Sequence, residues 1–267
     1  MTFSSRISEP VPPPLAQRHV VEMIACLSGE AGAAAIDVSV VIPVFNGVGS
    51  IGLLLQEVIR QCVRPDRGVL EIVVVDDGST DGTWAAMCRA CPFPGTAYRA
   101  LQLSSNRGKT AALAVGFAVA AGRVVVTIDG DPQDDPAGIP ALLAKLDAGF
   151  DLVVGWRRWR SDLVAKRFAS WLFNRGTALV SGLALHHINC GLKGMRAEVA
   201  KSLRLCGQQR RFIPQLAERL RFRVTEVPVR HRVRRCGISK YGMGRCVPAV
   251  LDLLCLVCSS KAPHPTV

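Results

Sequence analysis

Asp129 and Asp131, one residue apart, with the amide oxygen of Gln133 two residues further on, form the most chemically suggestive group in this chain of 267 residues. Carboxylate and carbonyl oxygens are hard ligands suited to Mg2+ or Mn2+. A divalent cation held there would neutralise a departing diphosphate. A lone D-x-D reads just as well as a solvated acidic turn that caps the next helix, so its surroundings decide. Two other clusters resemble it: the acidic pair Asp76-Asp77, followed by Gly78-Ser79-Thr80-Asp81-Gly82, and the polar turn Phe45-Asn46.

Each cluster ends an apolar, β-branched run. Asp37–Asn46 reads as a strand running into a turn, and Leu70–Val75 and Val124–Ile128 as buried strands, with weaker strands expected over Tyr98–Leu103, Asp151–Val154 and Arg223–Val229. Between them, helical spacing is read over Ile51–Gln61, Ala111–Ala120 and Ile139–Leu146, and beyond them over Ala197–Leu205 and Phe212–Leu220. Strands alternating with helices predict an α/β, three-layer fold around a mostly parallel sheet. In such sheets ligands collect at the carboxyl ends of the strands, where these polar residues fall. Residues 1–36 are Pro-, Ser- and Ala-rich and read as a flexible extension with one short helix near Val20–Leu27. Trp156–Leu185 reads as an amphipathic helical region, and residues 247–267 as an apolar helix and tail.

The formal net charge is +12, and Arg residues crowd Arg204–Arg245. Anionic lipid and phosphorylated substrates suit such a surface. Nucleic acid is not expected, because aromatic residues are few and no nucleic-acid-binding motif is present. The ten cysteines are scattered, and they read as reduced thiols of a cytoplasmic protein. No apolar run approaches the ~20 residues of a spanning helix, and Met1–Pro14 lacks the apolar centre of a signal peptide.

Taken together, Val40-Val41-Ile42-Pro43-Val44-Phe45-Asn46, Val74-Val75-Asp76-Asp77-Gly78-Ser79-Thr80-Asp81-Gly82-Thr83 and Asp129-Gly130-Asp131-Pro132-Gln133-Asp134-Asp135-Pro136 resemble the inverting family 2 glycosyltransferases of GT-A fold. The chain is most similar to the polyprenyl-phosphate, dolichol-phosphate mannose synthase-like branch. That likeness is carried by Asn106-Arg107-Gly108-Lys109, Asn189-Cys190-Gly191-Leu192-Lys193, Arg211-Phe212-Ile213-Pro214, Glu226-Val227-Pro228-Val229 and Arg234-Arg235-Cys236-Gly237-Ile238-Ser239-Lys240-Tyr241-Gly242. The resemblance covers about residues 38–254 and implies a glycosyltransferase domain over residues 37–246. It implies that Asp131 and Gln133 bind Mg2+ or Mn2+, with Asp129 on the ribose or metal side. Pro43, Val44, Phe45 and Asn46 would line the nucleotide pocket, Asp76 or Asp77 would contact the base, and Lys109 would lie near the diphosphate. The resemblance implies a catalytic set of Asp129, Asp131 and Arg234.

The acceptor implied is a polyprenyl phosphate, whose second pKa near ~6 leaves it largely dianionic at neutral pH. No proton has to be removed, but two anions must be held together. Arg157, Lys166, Ser170, Arg234, Ser239 and Lys240 are the expected phosphate contacts. The donor would be a GDP- or UDP-linked sugar, and neither the base nor the sugar is legible. Two departures stand out: Gly47 replaces the usual Glu, and His186-His187 stands where relatives carry an Asp. Two other functions compete. One is transfer to a saccharide or other hydroxyl, with Asp134 or Asp135 as the base. The other is a membrane-associated binding or scaffold protein that has lost turnover. Peripheral attachment to the inner membrane face is expected, through Trp156–Phe173 and Val247–Cys258 or through a separate membrane subunit.

Overall fold

The computed structural model describes residues 35–63, 67–90, 95–131, 133–157, 183, 185, 186, 188–205, 207–230 and 232, together with the backbone of residues 20–27. The eight strands are β1 (Val20–Leu27), β2 (Ile36–Val44), β3 (Val69–Asp76), β4 (Thr96–Leu103), β5 (Val124–Thr127), β6 (Leu152–Arg157), β7 (Lys193–Arg196) and β8 (Val224–Val229). They form one sheet in the order β1-β4-β3-β2-β5-β7-β6-β8. Four of the seven neighbouring pairs are parallel, which is the mostly parallel sheet expected. Parallel strands buried on both faces need continuous apolar runs, and Val40, Val41, Ile42, Ile72, Val73, Val74, Val125 and Val126 are all 0 % exposed.

Helices cover both faces. The helices are α1 (Ile51–Cys62), α2 (Thr83–Arg89), α3 (Lys109–Val119), α4 (Ile139–Asp147), α5 (Ala197–Ser202) and α6 (Ile213–Arg219). Helix α1 turns Ile51, Leu54, Leu55, Val58 and Cys62 inward, one stripe at helical spacing. It packs with α2 and α4 on one side, while α3 and α5 lie together on the other. The lower end of the sheet, away from the strands' carboxyl ends, is tied by polar side chains. Glu71 is fully buried; it accepts from the Ala121 backbone at 2.8 Å and pairs with Arg99 at 2.9 Å. Lys201 takes the carbonyl oxygens of Phe117, Ala118 and Ala120 at 2.7–2.9 Å, closing the carboxyl end of α3 with a cation.

Two local expectations are corrected, and one strand is unforeseen. Residues 20–27 form a strand antiparallel to β4, not a short helix within a loose extension. Val20, Val21 and Ile24 favour extended backbone, and the free edge of β4 offers a ladder to pair with. Trp156 and Arg157 belong to β6, where they pair with Pro228 and Val229, not to a helix. Strand β7 was not foreseen: Lys193-Gly194-Met195-Arg196 is short, carries a glycine and has no apolar alternation, and pairing with β5 and β6 makes it a strand. The expected segments Trp159–Phe173 and Val247–Cys258 lie outside the described residues, as do Lys166, Ser170, His187, Arg234, Ser239 and Lys240. Among the described residues no helix is long and apolar enough to cross a membrane.

Candidate active site

The loops after β2, β3, β4 and β5 emerge at the same end of the sheet and bond to one another. Asn46 holds a left-handed backbone at φ 50°; its side-chain oxygen accepts from Thr80 N at 3.0 Å, and its own N–H donates to Ser79 Oγ at 2.8 Å. Gly47 N donates to Thr83 Oγ1 at 2.9 Å, and Val48 N to Asp81 Oδ2 at 3.2 Å. Ser50 Oγ reaches across to the Gly130 carbonyl at 3.1 Å, and Gly130 N to the Pro43 carbonyl at 3.2 Å. The D-x-D turn is thereby fixed against the end of β2.

Asp76 and Asp77 are buried behind this rim. Asp76 accepts from Ser79 N at 3.0 Å and from Gln102 Nε2 at 3.2 Å. Asp77 accepts from Arg107 N at 2.8 Å. Burial pushes the Asp77 carboxyl up, against the pull of the Arg107 and Gly108 backbone N–H groups, with Asp76 adding to the rise. Neither aspartate caps α2; Asp81 bonds the Thr83 N–H at 3.0 Å. Pro43 and Val44 are buried too, whereas Phe45 and Asn46 reach the surface.

At the centre, Lys109, the first residue of α3, forms an ion pair with Asp129 Oδ1. Arg157, at the end of β6, donates to Asp134 Oδ1 at 2.8 Å, and Asp134 is 1 % exposed. Burial works against the charge on Arg157, but Asp134, Cys190 and Asp129 more than offset it, so the pKa is raised. Asp135 caps the short turn Pro136–Gly138 by accepting from Ala137 N at 3.0 Å, and it pairs with Arg232 at 2.7 Å. Arg232 also pairs with Glu57 of α1 at 2.6 Å, and its backbone N–H donates to the Gln133 carbonyl at 2.8 Å. The chain leaving β8 is thus anchored to the turn that carries Gln133.

Three residues without an assigned role enter here. Gly191 Cα lies against Asp129 and Asp134, because a Cβ there would sit 2.1 Å from Asp129 Oδ1 and 2.4 Å from Asp134 Oδ2. Lys193 is buried and donates to the Cys190 carbonyl. Burial lowers its pKa to about 8, with Lys109 pushing the same way and Cys190, Asp129 and Asp134 opposing. Arg232 is the third. Gly191 and Lys193 stand in the Asn189–Lys193 motif, so the sequence flagged their neighbourhood but gave them no task. Nothing in the pattern separated Arg232 from the arginines around it.

The two departures have local explanations. A Cβ on Gly47 would lie 2.6 Å from Val44 Cγ2, so the turn is built around a residue with no side chain. His186 stacks on Trp156 with ring centroids 4.2 Å apart, and it binds Glu226 through its backbone N–H at 2.9 Å and its ring. Its ring lies at the surface and bridges β6 and β8 through these contacts.

Asp131 and Gln133, both half-buried, offer one carboxylate and one amide oxygen. No cluster of three or more His, Cys, Asp or Glu suited to a metal occurs among the described residues. That sparse, hard donor set fits a cation such as Mg2+ or Mn2+, which takes its remaining ligands from phosphate and water.

A mostly parallel sheet flanked by helices, with a D-x-D turn among the loops at the carboxyl ends of its strands, is the architecture of the GT-A fold. The family model "Glycosyl transferase family 2" matches residues 39–204, and the chain belongs to that family. Dodecaprenyl-phosphate galacturonate synthase of Rhizobium johnstonii is 38% identical over 224 residues, covering 82% of this chain and 66% of the relative. Undecaprenyl-phosphate 4-deoxy-4-formamido-L-arabinose transferase of Edwardsiella ictaluri is 37% identical over 226 residues, covering 85% and 69%. The chain therefore spans about two thirds of the length of these relatives. In fold it is similar to glucosyl-3-phosphoglycerate synthase from Mycobacterium tuberculosis in complex with Mn2+, UDP-glucose and phosphoglyceric acid, with TM-score 0.63, 24% identity, and 87% of this chain and 82% of that one covered. The same enzyme with Mg2+ and UDP gives TM-score 0.63 at 24% identity, with the same coverage.

Proposed function

We propose that this protein transfers a sugar from a nucleotide sugar to a polyprenyl phosphate, with inversion and with a divalent cation. Asp131 and Gln133 would hold Mg2+ or Mn2+, and the cation would neutralise the diphosphate as it leaves. Asp129 and Lys109 would sit beside the donor, with Phe45 and Asn46 at the mouth of the nucleotide pocket. Asp76 and Asp77 would act from behind, by fixing the loops that meet the base. Arg157, Lys166, Ser170, Arg234, Ser239 and Lys240 would receive the acceptor phosphate.

The observation that carries this reading is the engagement of both acids that a hydroxyl acceptor would need as a base. Asp134 is buried and paired with Arg157, and Asp135 caps a turn and pairs with Arg232. A dianionic phosphate needs neither, because it attacks without losing a proton, while it does need cations beside it. Two relatives whose names specify polyprenyl-phosphate products support the same choice. The ordered ion pairs around the D-x-D turn also favour turnover over a scaffold role. The acceptor places the protein at a membrane surface, and we assign it to the cytoplasmic face as a peripheral protein, on its own or beside a separate membrane subunit.

The test is a screen of UDP- and GDP-sugars with Mg2+ or Mn2+, offering undecaprenyl phosphate, free undecaprenol and oligosaccharide as acceptors. A glycosylated lipid phosphate is expected. A better yield with undecaprenol or oligosaccharide would replace this reading with the hydroxyl-acceptor one.

A further inference from the structure

Strand β7 stands between the strand that carries the D-x-D turn and the strand that carries Arg157. Thr127 of β5 and Val154 of β6 both pair with Lys193. The chain enters β7 through Cys190-Gly191-Leu192, and two side chains hold that entry in place. Thr127 Oγ1 donates to the Gly191 carbonyl at 2.7 Å. Lys193, 4 % exposed, donates to the carbonyl one residue earlier, on Cys190. Both side chains lie on the α3 face of the sheet, because residues paired across strands share a face and Thr127 also pairs with Val41.

What this bracket holds is the α-carbon of Gly191, packed against two carboxylates. Contacts of 2.1 and 2.4 Å from one Cβ position bound the separation of Asp129 Oδ1 and Asp134 Oδ2 at about 4.5 Å. Like charges that close repel. Each is fastened outward by its own cation, Asp129 by Lys109 and Asp134 by Arg157. The α-carbon of Gly191 abuts both, and any side chain there would strike both. One carboxylate belongs to the donor turn and the other to the acceptor cations, so their spacing fixes where two substrate anions meet.

We propose that the Cys190-Gly191 turn, held by Lys193 and Thr127, is the spacer that sets the distance between Asp129 and the Asp134–Arg157 pair, and that Lys193 is a positioning residue for the transfer. The assignment of donor and acceptor sides rests on the polyprenyl-phosphate reading above. Lys193 touches neither substrate; it acts through the turn. An Arg at 193 keeps the charge and a donor for the Cys190 carbonyl, whereas Met keeps only bulk.

The experiment uses the full chain as wild type, Lys193→Met, Lys193→Arg, Thr127→Val and the Lys193→Met/Thr127→Val pair. Mn2+ binding in the presence of UDP is followed by electron paramagnetic resonance, transfer to undecaprenyl phosphate by product formation, and folding by thermal melting. Removing a positioning group behind a metal site costs about ten- to a hundredfold. Lys193→Met is expected to weaken Mn2+ binding and to lower kcat within that range, and Lys193→Arg to recover most of both. Thr127→Val should act in the same direction more weakly. The double variant should fall short of the product of the two effects, since both act on one turn. Should Lys193→Met not fold, Thr127→Val carries the test. Binding and kcat within twofold of wild type, or losses that follow the melting temperature alone with no recovery by Arg, would overturn the spacer. A wild type that binds Mn2+ and UDP but glycosylates no lipid phosphate would sink the acceptor reading, while the Mn2+ measurement still decides the spacer.

Discussion

Arg157 reaches Asp134 at 2.8 Å, and that carboxylate is 1 % exposed. A buried acid so placed is a fixed counter-charge, not a base waiting for a hydroxyl proton. Removing one member of such a pair leaves the other charged and unsolvated, at a cost of about 3–5 kcal/mol. Arg157→Ala is therefore expected to lower stability by roughly that amount in urea unfolding and to abolish transfer. Asp134→Asn leaves the acceptor dianionic, so its remaining rate should keep the pH dependence of the wild type. A pH–rate profile that loses an acidic limb in Asp134→Asn would restore Asp134 as a base.

Removal of one anionic oxygen from the D-x-D turn should weaken cation and donor together. Asp131→Asn is expected to raise the donor KM and the Mn2+ requirement and to lower kcat/KM by about a hundredfold, with Gln133→Ala milder at about tenfold. Titration of activity with Mn2+ measures both, and chelation with EDTA should abolish turnover. Full activity in EDTA would remove the metal from the mechanism.

The contact between Gly47 and Val44 can be tested by relieving it. A Cβ at 2.6 Å from Val44 Cγ2 overpacks the turn, and such insertions cost about 1–3 kcal/mol. Gly47→Ala alone should be destabilised by that order. Combined with Val44→Ala, it should cost less than the sum of the two single changes in denaturant titrations. Strict additivity would mean that Val44 does not oppose a side chain at position 47.

Lys193 makes stability depend on alkaline pH. Its pKa falls from 10.5 to about 8 on folding, so between those values the unfolded chain binds more protons than the folded one. Stability then rises with pH across that window, by at most about 3 kcal/mol from this group. Cys190, which burial pushes up from 9.0 to about 11, contributes the opposite slope between those two values. The informative quantity is therefore the difference between wild type and Lys193→Met: the wild type should gain on the variant from pH 8 to 10.5, and parallel curves would contradict the assignment.

Arg232 ties α1, the turn after the D-x-D and the exit from β8 through Glu57, Asp135 and the Gln133 carbonyl. These pairs are partly solvated, so Arg232→Met should cost only about 1–2 kcal/mol in stability. Acceptor-dependent kcat should fall further than UDP affinity, because the chain that anchors at Arg232 leads to Arg234 two residues on. Equal losses in both would reduce Arg232 to a general fold contact.

The sequence by itself determined the runs that had to be buried. Val-rich segments ending in Asn46, Asp76-Asp77 and Asp129-x-Asp131 read as interior parallel strands with polar ends, so the sheet and the polar edge at its carboxyl ends were legible in the sequence. Local pattern also carried the D-x-D and its oxygen donors. It did not reveal β1 and β7, one with a helix-compatible composition and the other four residues with a glycine, because their strand character comes from the edges they pair with. Nor could it say that Asp134 would be spent on Arg157, that Asp76 and Asp77 would turn inward to hold loops, or that Gly191 would lie against Asp129 and Asp134. Apart from the local bond between Asp76 and Ser79, those relations join residues between 23 and 62 positions apart in the chain. Side-chain type fixes what each group can do, but only packing fixes which partner each one meets, because burial removes the water that would otherwise satisfy it.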